Sequence, residues 1–258
     1  PSIWRRWRRA RCVPSRSGDP QGRPRRPASF AASRSQSTEL ATAAQRGAPV
    51  IEQMDFFRDG EIVSGPVPAK PAVAIVDSRR CAVAARTALA TLLRADPGPV
   101  GFHDYGDCSR RAADSSGLFV RAIRGQRNRA QDGWVYKVGR ELATAGAADP
   151  AGPFGDGRLK AGQRVLWFYC RQRAAGTCQR SLEVDTAVDG RRLSVTVTGY
   201  DDAGEGVAVG GAKVVAGDAR ATTGADGKAT LTLERGSHRV HAVKRGAIRS
   251  FGKRVEIG

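Results

Sequence analysis

Four cysteines, Cys81, Cys108, Cys170 and Cys178, fall within one stretch of the chain, and a fifth, Cys12, stands far upstream. Thiols so placed bind a metal, form disulfides or pack as small apolar groups. Zinc sites draw on closely spaced Cys-x2–4-Cys pairs, and no two of these cysteines are that close. Four cysteines allow three pairings. The pairing we favour joins Cys81 to Cys108 and Cys170 to Cys178, the second bridge closing a short loop over residues 171–177. Each bridge would add on the order of 2–3 kcal/mol by restricting the unfolded chain. Bridges imply an oxidising compartment and therefore export; reduced core thiols are the alternative. Cys12 has no partner in this scheme.

The other reactive side chains do not assemble into a motif. His103, His238 and His241 lack a nucleophile with motif spacing, and His238 and His241, three apart in a predicted strand, face opposite ways. Ser115 and Ser116 precede a glycine without the strand–elbow–helix setting of a nucleophilic serine. Asp114 fits a turn. Asp201, Asp202 and Glu205 are grouped, yet they miss the spacing of a calcium loop. The expectation is a protein that is not an enzyme, with no cofactor and no metal.

Aromatic residues supply the other candidate site. Trp134 and Tyr136 share one face of a predicted strand, and Trp167 and Tyr169 share one face of another. If the two strands are neighbours, the four rings make either an aromatic surface for a planar or sugar-like ligand or a set of cross-strand core pairs.

Charge is the most conspicuous bulk property. Lys and Arg number 43 against 25 Asp and Glu, for a net charge of +18. Half of that excess lies in residues 1–34, where ten arginines face one acid, Asp19. Such a chain attracts polyanions in a salt-dependent way. No zinc-finger spacing, basic zipper or aromatic RNA-binding signature accompanies the charge, so no specific nucleic-acid partner is expected. No continuously apolar window is long enough for a transmembrane helix.

The elements that must position these groups are short. Gly (31) and Pro (13) are frequent, which favours turns and strands over long helices. Residues 1–65 read as a disordered, Arg-rich leader that turns transitional after residue 50, because large aliphatic side chains are almost absent before Val50. Twin arginines occur at 5–6 and 8–9 without an apolar stretch after them, so no export signal is read there. Residues 72–76 predict a strand, Arg79 and Arg80 a turn, and residues 81–83 a second strand. Thr87 suits the N-cap of a helix over Ala88–Ala95, with Leu89, Leu92 and Leu93 on one face and Asp96-Pro-Gly as its stop. Strands follow over 118–123, 133–139 and from Arg164, the last after a turn at Ala161-Gly162. One helix among several strands predicts an α+β domain over about 71–180. Beyond residue 190 only strands are predicted, with the tight turn Asp226-Gly227 inside them, which predicts a small β-sandwich over 190–258.

The ordered pieces Thr87-Ala-Leu-Ala-Thr-Leu-Leu93, Gly117-Leu-Phe-Val-Arg-Ala-Ile123, Gly133-Trp-Val-Tyr-Lys-Val-Gly139 and Leu159-Lys-Ala-Gly-Gln-Arg-Val-Leu-Trp-Phe-Tyr169 carry a resemblance. Together they resemble the transcobalamin C-terminal type of the soluble-ligand-binding β-grasp superfamily, in its bacterial form of unknown function. Arg140 and Gln163 stand where that family usually has Asn and Asp. Residues 209–214, 221–233 and 236–243 resemble the transthyretin-like, carboxypeptidase-regulatory type of sandwich. The first resemblance implies a β-grasp fold and, as one reading, binding or uptake of a cobalamin-like small ligand. The second implies an adhesive or spacer module at the bacterial cell surface. The fold expected is therefore mainly β with an α+β part: a β-grasp-like domain, a small transthyretin/Ig-like β-sandwich and a disordered basic N-terminus. The function expected is non-enzymatic binding, adhesion or scaffolding in an extracellular or cell-envelope setting, towards an unknown cell-surface or extracellular ligand. Cobalamin-like uptake and polyanion binding are the alternatives.

Overall fold

The computed structural model describes residues 50–55, 60–106, 108–112 and 116–258, which fall within one compact unit, Ala44–Gly258. The leader reading for residues 1–49 lies outside the described residues, as do Asp114 and Ser115. Among the described residues the chain is mainly β with one helix. In chain order the elements are β1 (Val50–Asp55), β2 (Gly60–Pro66), β3 (Ala72–Val76), β4 (Arg79–Val83), α1 (Ala88–Ala95), β5 (Val100–Asp104) and β6 (Leu118–Ile123). Then come β7 (Gln126–Arg127), β8 (Gly133–Val138), β9 (Glu141–Leu142), β10 (Arg164–Cys170), β11 (Ser181–Asp189) and β12 (Arg192–Tyr200). The chain ends in β13 (Gly206–Ala208), β14 (Lys213–Ala216), β15 (Ala219–Thr222), β16 (Lys228–Thr232), β17 (Gly236–Val243) and β18 (Lys253–Ile257).

The largest sheet runs β2-β1-β10-β8-β9, with β1 parallel to β10 and the remaining pairs antiparallel. Val50–Asp55 and Gly60–Pro66 are thus strands, where the sequence reads as a leader turning transitional. Apolar β-branched residues at 50, 51, 62 and 63 suit extended backbone, and pairing with β10 satisfies the main chain of β1. Two smaller sheets, β3-β4 and β5-β6-β7, lie with α1 around the first core. That core takes Ala74, Val76, Cys81 and Val83 from the β3–β4 hairpin, Leu89 and Leu92 from α1, and Trp167 and Tyr169 from β10.

The helix forms as its sequence dictates. Thr87 Oγ1 accepts the Ala90 amide at 3.2 Å, and Asp96 stops the helix in the left-handed region. The β3–β4 turn differs from expectation. It falls on Asp77 and Ser78, both at positive φ, and Arg79 and Arg80 begin β4. This pattern is that of a type I′ hairpin, which needs positive φ at both central positions, and Asp tolerates that better than Arg.

A second core lies between two four-stranded sheets. In one, β12 is flanked by β11 and by both β13 and β16; the other runs β15-β14-β17-β18. Leu193, Val195 and Val197 of β12 face Val214, Val240 and Ala242 across it. The first sheet takes in β11 from Ser181, ahead of residue 190. The Asp226-Gly227 turn sits in this sandwich but joins β15 and β16, which belong to different sheets. It is a crossover between the layers where a hairpin was expected.

β10 is buried on both faces. Val165, Trp167 and Tyr169 enter the first core, while Leu166, Phe168 and Cys170 join Cys178 and Ile248 in a third cluster. This accounts for its nearly unbroken apolar run, the pattern of a strand covered on both sides.

Candidate functional site

The aromatic quartet can be placed from the register alone. β8 and β10 are antiparallel neighbours, with Tyr136 opposite Trp167 and Trp134 opposite Tyr169. Tyr136 and Trp167 have ring centroids 5.2 Å apart, and Trp134 meets Tyr169 edge-on at 5.7 Å. All four rings are buried in the first core, so they offer no aromatic surface to a ligand. Three of their polar tips are tied to main chain: Trp134 Nε1 donates to Gln126 O, Tyr136 Oη to Ala145 O and Tyr169 Oη to Arg127 O, each at 2.9–3.0 Å. Burial pushes the Tyr136 and Tyr169 phenols up, so both stay neutral donors. The ligand-binding reading of Trp134, Tyr136, Trp167 and Tyr169 therefore gives way to cross-strand packing. The sheet face that carries them is the one covered by α1 and the β3–β4 hairpin.

The other face of β8 holds a residue that the sequence does not flag. Lys137 is fully buried. Its Nζ donates to Ser181 Oγ at 3.2 Å, Tyr200 O at 3.1 Å and Asp201 O at 2.6 Å. Burial pushes its ammonium down to about 8. Asp202, Asp201 and Glu183 oppose that shift and Arg180 adds to it. Around this node the partners are also charged. Arg140 donates two hydrogen bonds to Glu183 Oε2 and lies over the Tyr200 ring at 4.1 Å, and Arg180 meets Asp201 at 3.3 Å. The arrangement joins β8 to the ends of β11 and β12. Alternation along β8 put Lys137 beside Val135 on a face of unknown cover, so the only signal available was its position in a strand.

Two of the candidate carboxylates accept backbone amides. Asp201 Oδ1 accepts the Ala203 and Glu205 amides, and Asp202 Oδ2 accepts the Cys178 amide at 2.8 Å. Among the described residues no group of three His, Cys, Asp or Glu side chains is placed to hold a metal. His103 stacks edge-on against exposed Tyr105, with centroids 4.4 Å apart. His238 Nε2 lies 2.7 Å from Glu234 O. His241 sits on the opposite face of β17.

Both expected disulfides are present, Cys81–Cys108 and Cys170–Cys178, with Cα atoms 4.9 and 5.1 Å apart. They fit an oxidising compartment. Among the described residues no helix is long and apolar enough to cross a membrane. The Cys81–Cys108 bridge also shapes a surface. It holds residues 108–110 beside β4, where Ala82 N donates to Ser109 O at 2.9 Å. The outer face of the β3–β4 hairpin then forms the floor of two adjoining grooves of about 600 and 670 Å³. Both contain Val73 and Ala82; Arg79, Arg80, Arg94 and Arg110 line them, and among the described residues no acid does. Val73 and Ile75 are 43% and 53% exposed on that face. The grooves set guanidinium groups beside apolar surface. Arg79 and Arg80, which the sequence places in a turn, instead begin β4 and reach this surface.

Comparison of the chain with protein-family models, with curated proteins and with solved structures gives no match.

Proposed function

We propose that the protein is an exported, non-enzymatic binding protein of the bacterial cell envelope, of adhesive or scaffolding type. One observation carries this reading: a disulfide, Cys81–Cys108, fastens the wall of an arginine-lined groove with an apolar floor. A structural bridge of this kind persists outside reducing compartments, and the groove it holds open is a recognition surface. The second disulfide and the turn-rich β fold support the same setting. The likeness of residues 71–180 to β-grasp ligand binders and of 191–258 to surface sandwich modules supports a binding unit followed by a spacer.

Mass measurement of the protein from envelope fractions after alkylation, with and without reductant, tests the compartment. Blocked thiols at Cys81, Cys108, Cys170 and Cys178 are expected before reduction, and four free thiols would overturn the reading.

The four groove arginines also favour a second reading, binding of a polyanion. Retention on heparin that is lost near physiological salt would reject a specific polyanion site.

A further inference from the structure

We propose that β3 takes up an extended, acidic segment of a partner protein as an added strand, an inference that rests on the binding-protein reading above. β3 pairs with β4 on one side, and among the described residues no strand pairs with its other edge. The two-residue turn fixes which backbone groups lie on that edge. Val76 and Arg79 close the hairpin as a hydrogen-bonded pair, so Ile75–Arg80 and Val73–Ala82 are non-bonded pairs. The N–H and C=O groups of Val73 and Ile75 therefore point away from β4, along the free edge.

Natural edge strands are usually blunted by charges, proline or a bulge. The sequence of β3, Ala-Val-Ala-Ile-Val, has none of these. Its outward side chains, Val73 and Ile75, are apolar and exposed, so alternate residues of an incoming strand have apolar surface to cover.

Charge selects the partner. Arg94, whose guanidinium donates to Pro71 O, marks the start of the edge, and Arg79 and Arg80 follow its end. Arg110 stands on the groove wall. Arg79 is matched by Asp104 at 2.7 Å, and Asp77 is the acid of the hairpin itself, so among the described residues Arg80, Arg94 and Arg110 leave the rim basic. Guanidinium forks favour carboxylates. The chain's own residues 1–34, with ten arginines and one acid, carry the wrong sign to occupy the edge, and a second copy would bring arginine towards arginine.

The test uses the full, oxidised chain and a labelled peptide of alternating Glu and Val, read by fluorescence anisotropy. Saturable binding is expected, weakened at least tenfold by Ile75→Glu and by the double variant Arg80→Glu/Arg94→Glu. Ile75 is exposed, so that variant keeps the fold, and its circular dichroism should match the parent. Binding should slow hydrogen exchange at the Val73 and Ile75 amides. N-methylating alternate peptide amides on the pairing edge should abolish binding. Equal binding of the N-methylated peptide, displacement by heparin with no change at those amides, self-association through β3, or no binding at millimolar peptide would each overturn the proposal. None of these outcomes bears on thiol state, so the export reading fails or survives separately.

Discussion

The Lys137 ammonium donates to the main-chain oxygen of Asp201 at 2.6 Å, joining the largest sheet to the turn after β12. One side chain thereby satisfies two carbonyls and a serine hydroxyl at the seam between the five-stranded sheet and the sandwich. On the exposed side, Arg140 bonded to Glu183 spans the same seam. The seam is polar at this end and apolar at the Ile248 cluster.

Replacing Lys137 by Met keeps the length and removes the donors. The orphaned oxygens should cost about 1–3 kcal/mol in denaturant unfolding at pH 7. The deficit should also grow with pH. The folded-state value of about 8 lies below the ordinary 10.5. Between those values the unfolded chain binds the proton more than the folded one does, so this group makes the wild type gain stability as pH rises. Lys137→Met lacks that gain. A deficit that stays flat or shrinks from pH 8 to 10.5 would contradict the burial of the ammonium.

The two disulfides should differ in worth. Cys81–Cys108 spans 27 residues and Cys170–Cys178 spans eight. Loop-closure entropy gives about 3.5 kcal/mol for the first and about 2.5 kcal/mol for the second. Paired Cys→Ala variants measured by urea unfolding should fall in that order, and only loss of the first should alter the groove that Arg110 lines.

Gly227 is a turn position with little tolerance. It sits at φ +75°, and a Cβ there would meet Val197 O at 2.7 Å. Its own oxygen accepts the Val197 amide at 2.8 Å. Gly227→Ala should cost about 1–3 kcal/mol, whereas Gly217→Ala, at φ +60° with no crowding described, should cost less. Thermal melts of the two variants side by side decide this.

The two core tryptophans should respond differently to Phe. Trp134 Nε1 has a main-chain acceptor, while Trp167 Nε1 is buried without a partner among the described residues. Trp134→Phe forfeits a hydrogen bond; Trp167→Phe removes an unsatisfied donor. The first should be the more destabilising by about 1 kcal/mol, measured by urea unfolding.

Much of the local structure could be read directly. The N-cap at Thr87 and the stop at Asp96 are local hydrogen-bonding choices, so α1 was legible to the residue. The period of two in β8 and β10 placed Trp134 with Tyr136 and Trp167 with Tyr169, and the favoured one of three cysteine pairings is the one that forms. What the alternation could not say was which face would be covered. A strand has two equivalent faces until another layer lands on one, so the aromatic rings could be a surface or a core, and Lys137 could be solvated or sealed. Docking of α1 and the β3–β4 hairpin decided the first, and the approach of β11 and β12 decided the second. The Asp226-Gly227 turn shows the same division. Its residues determined a reversal, because glycine takes positive φ freely. Whether the reversed chain returned to its own sheet or crossed to the facing one depended on burying β15 and β16 against a shared core, which only the folded chain could decide.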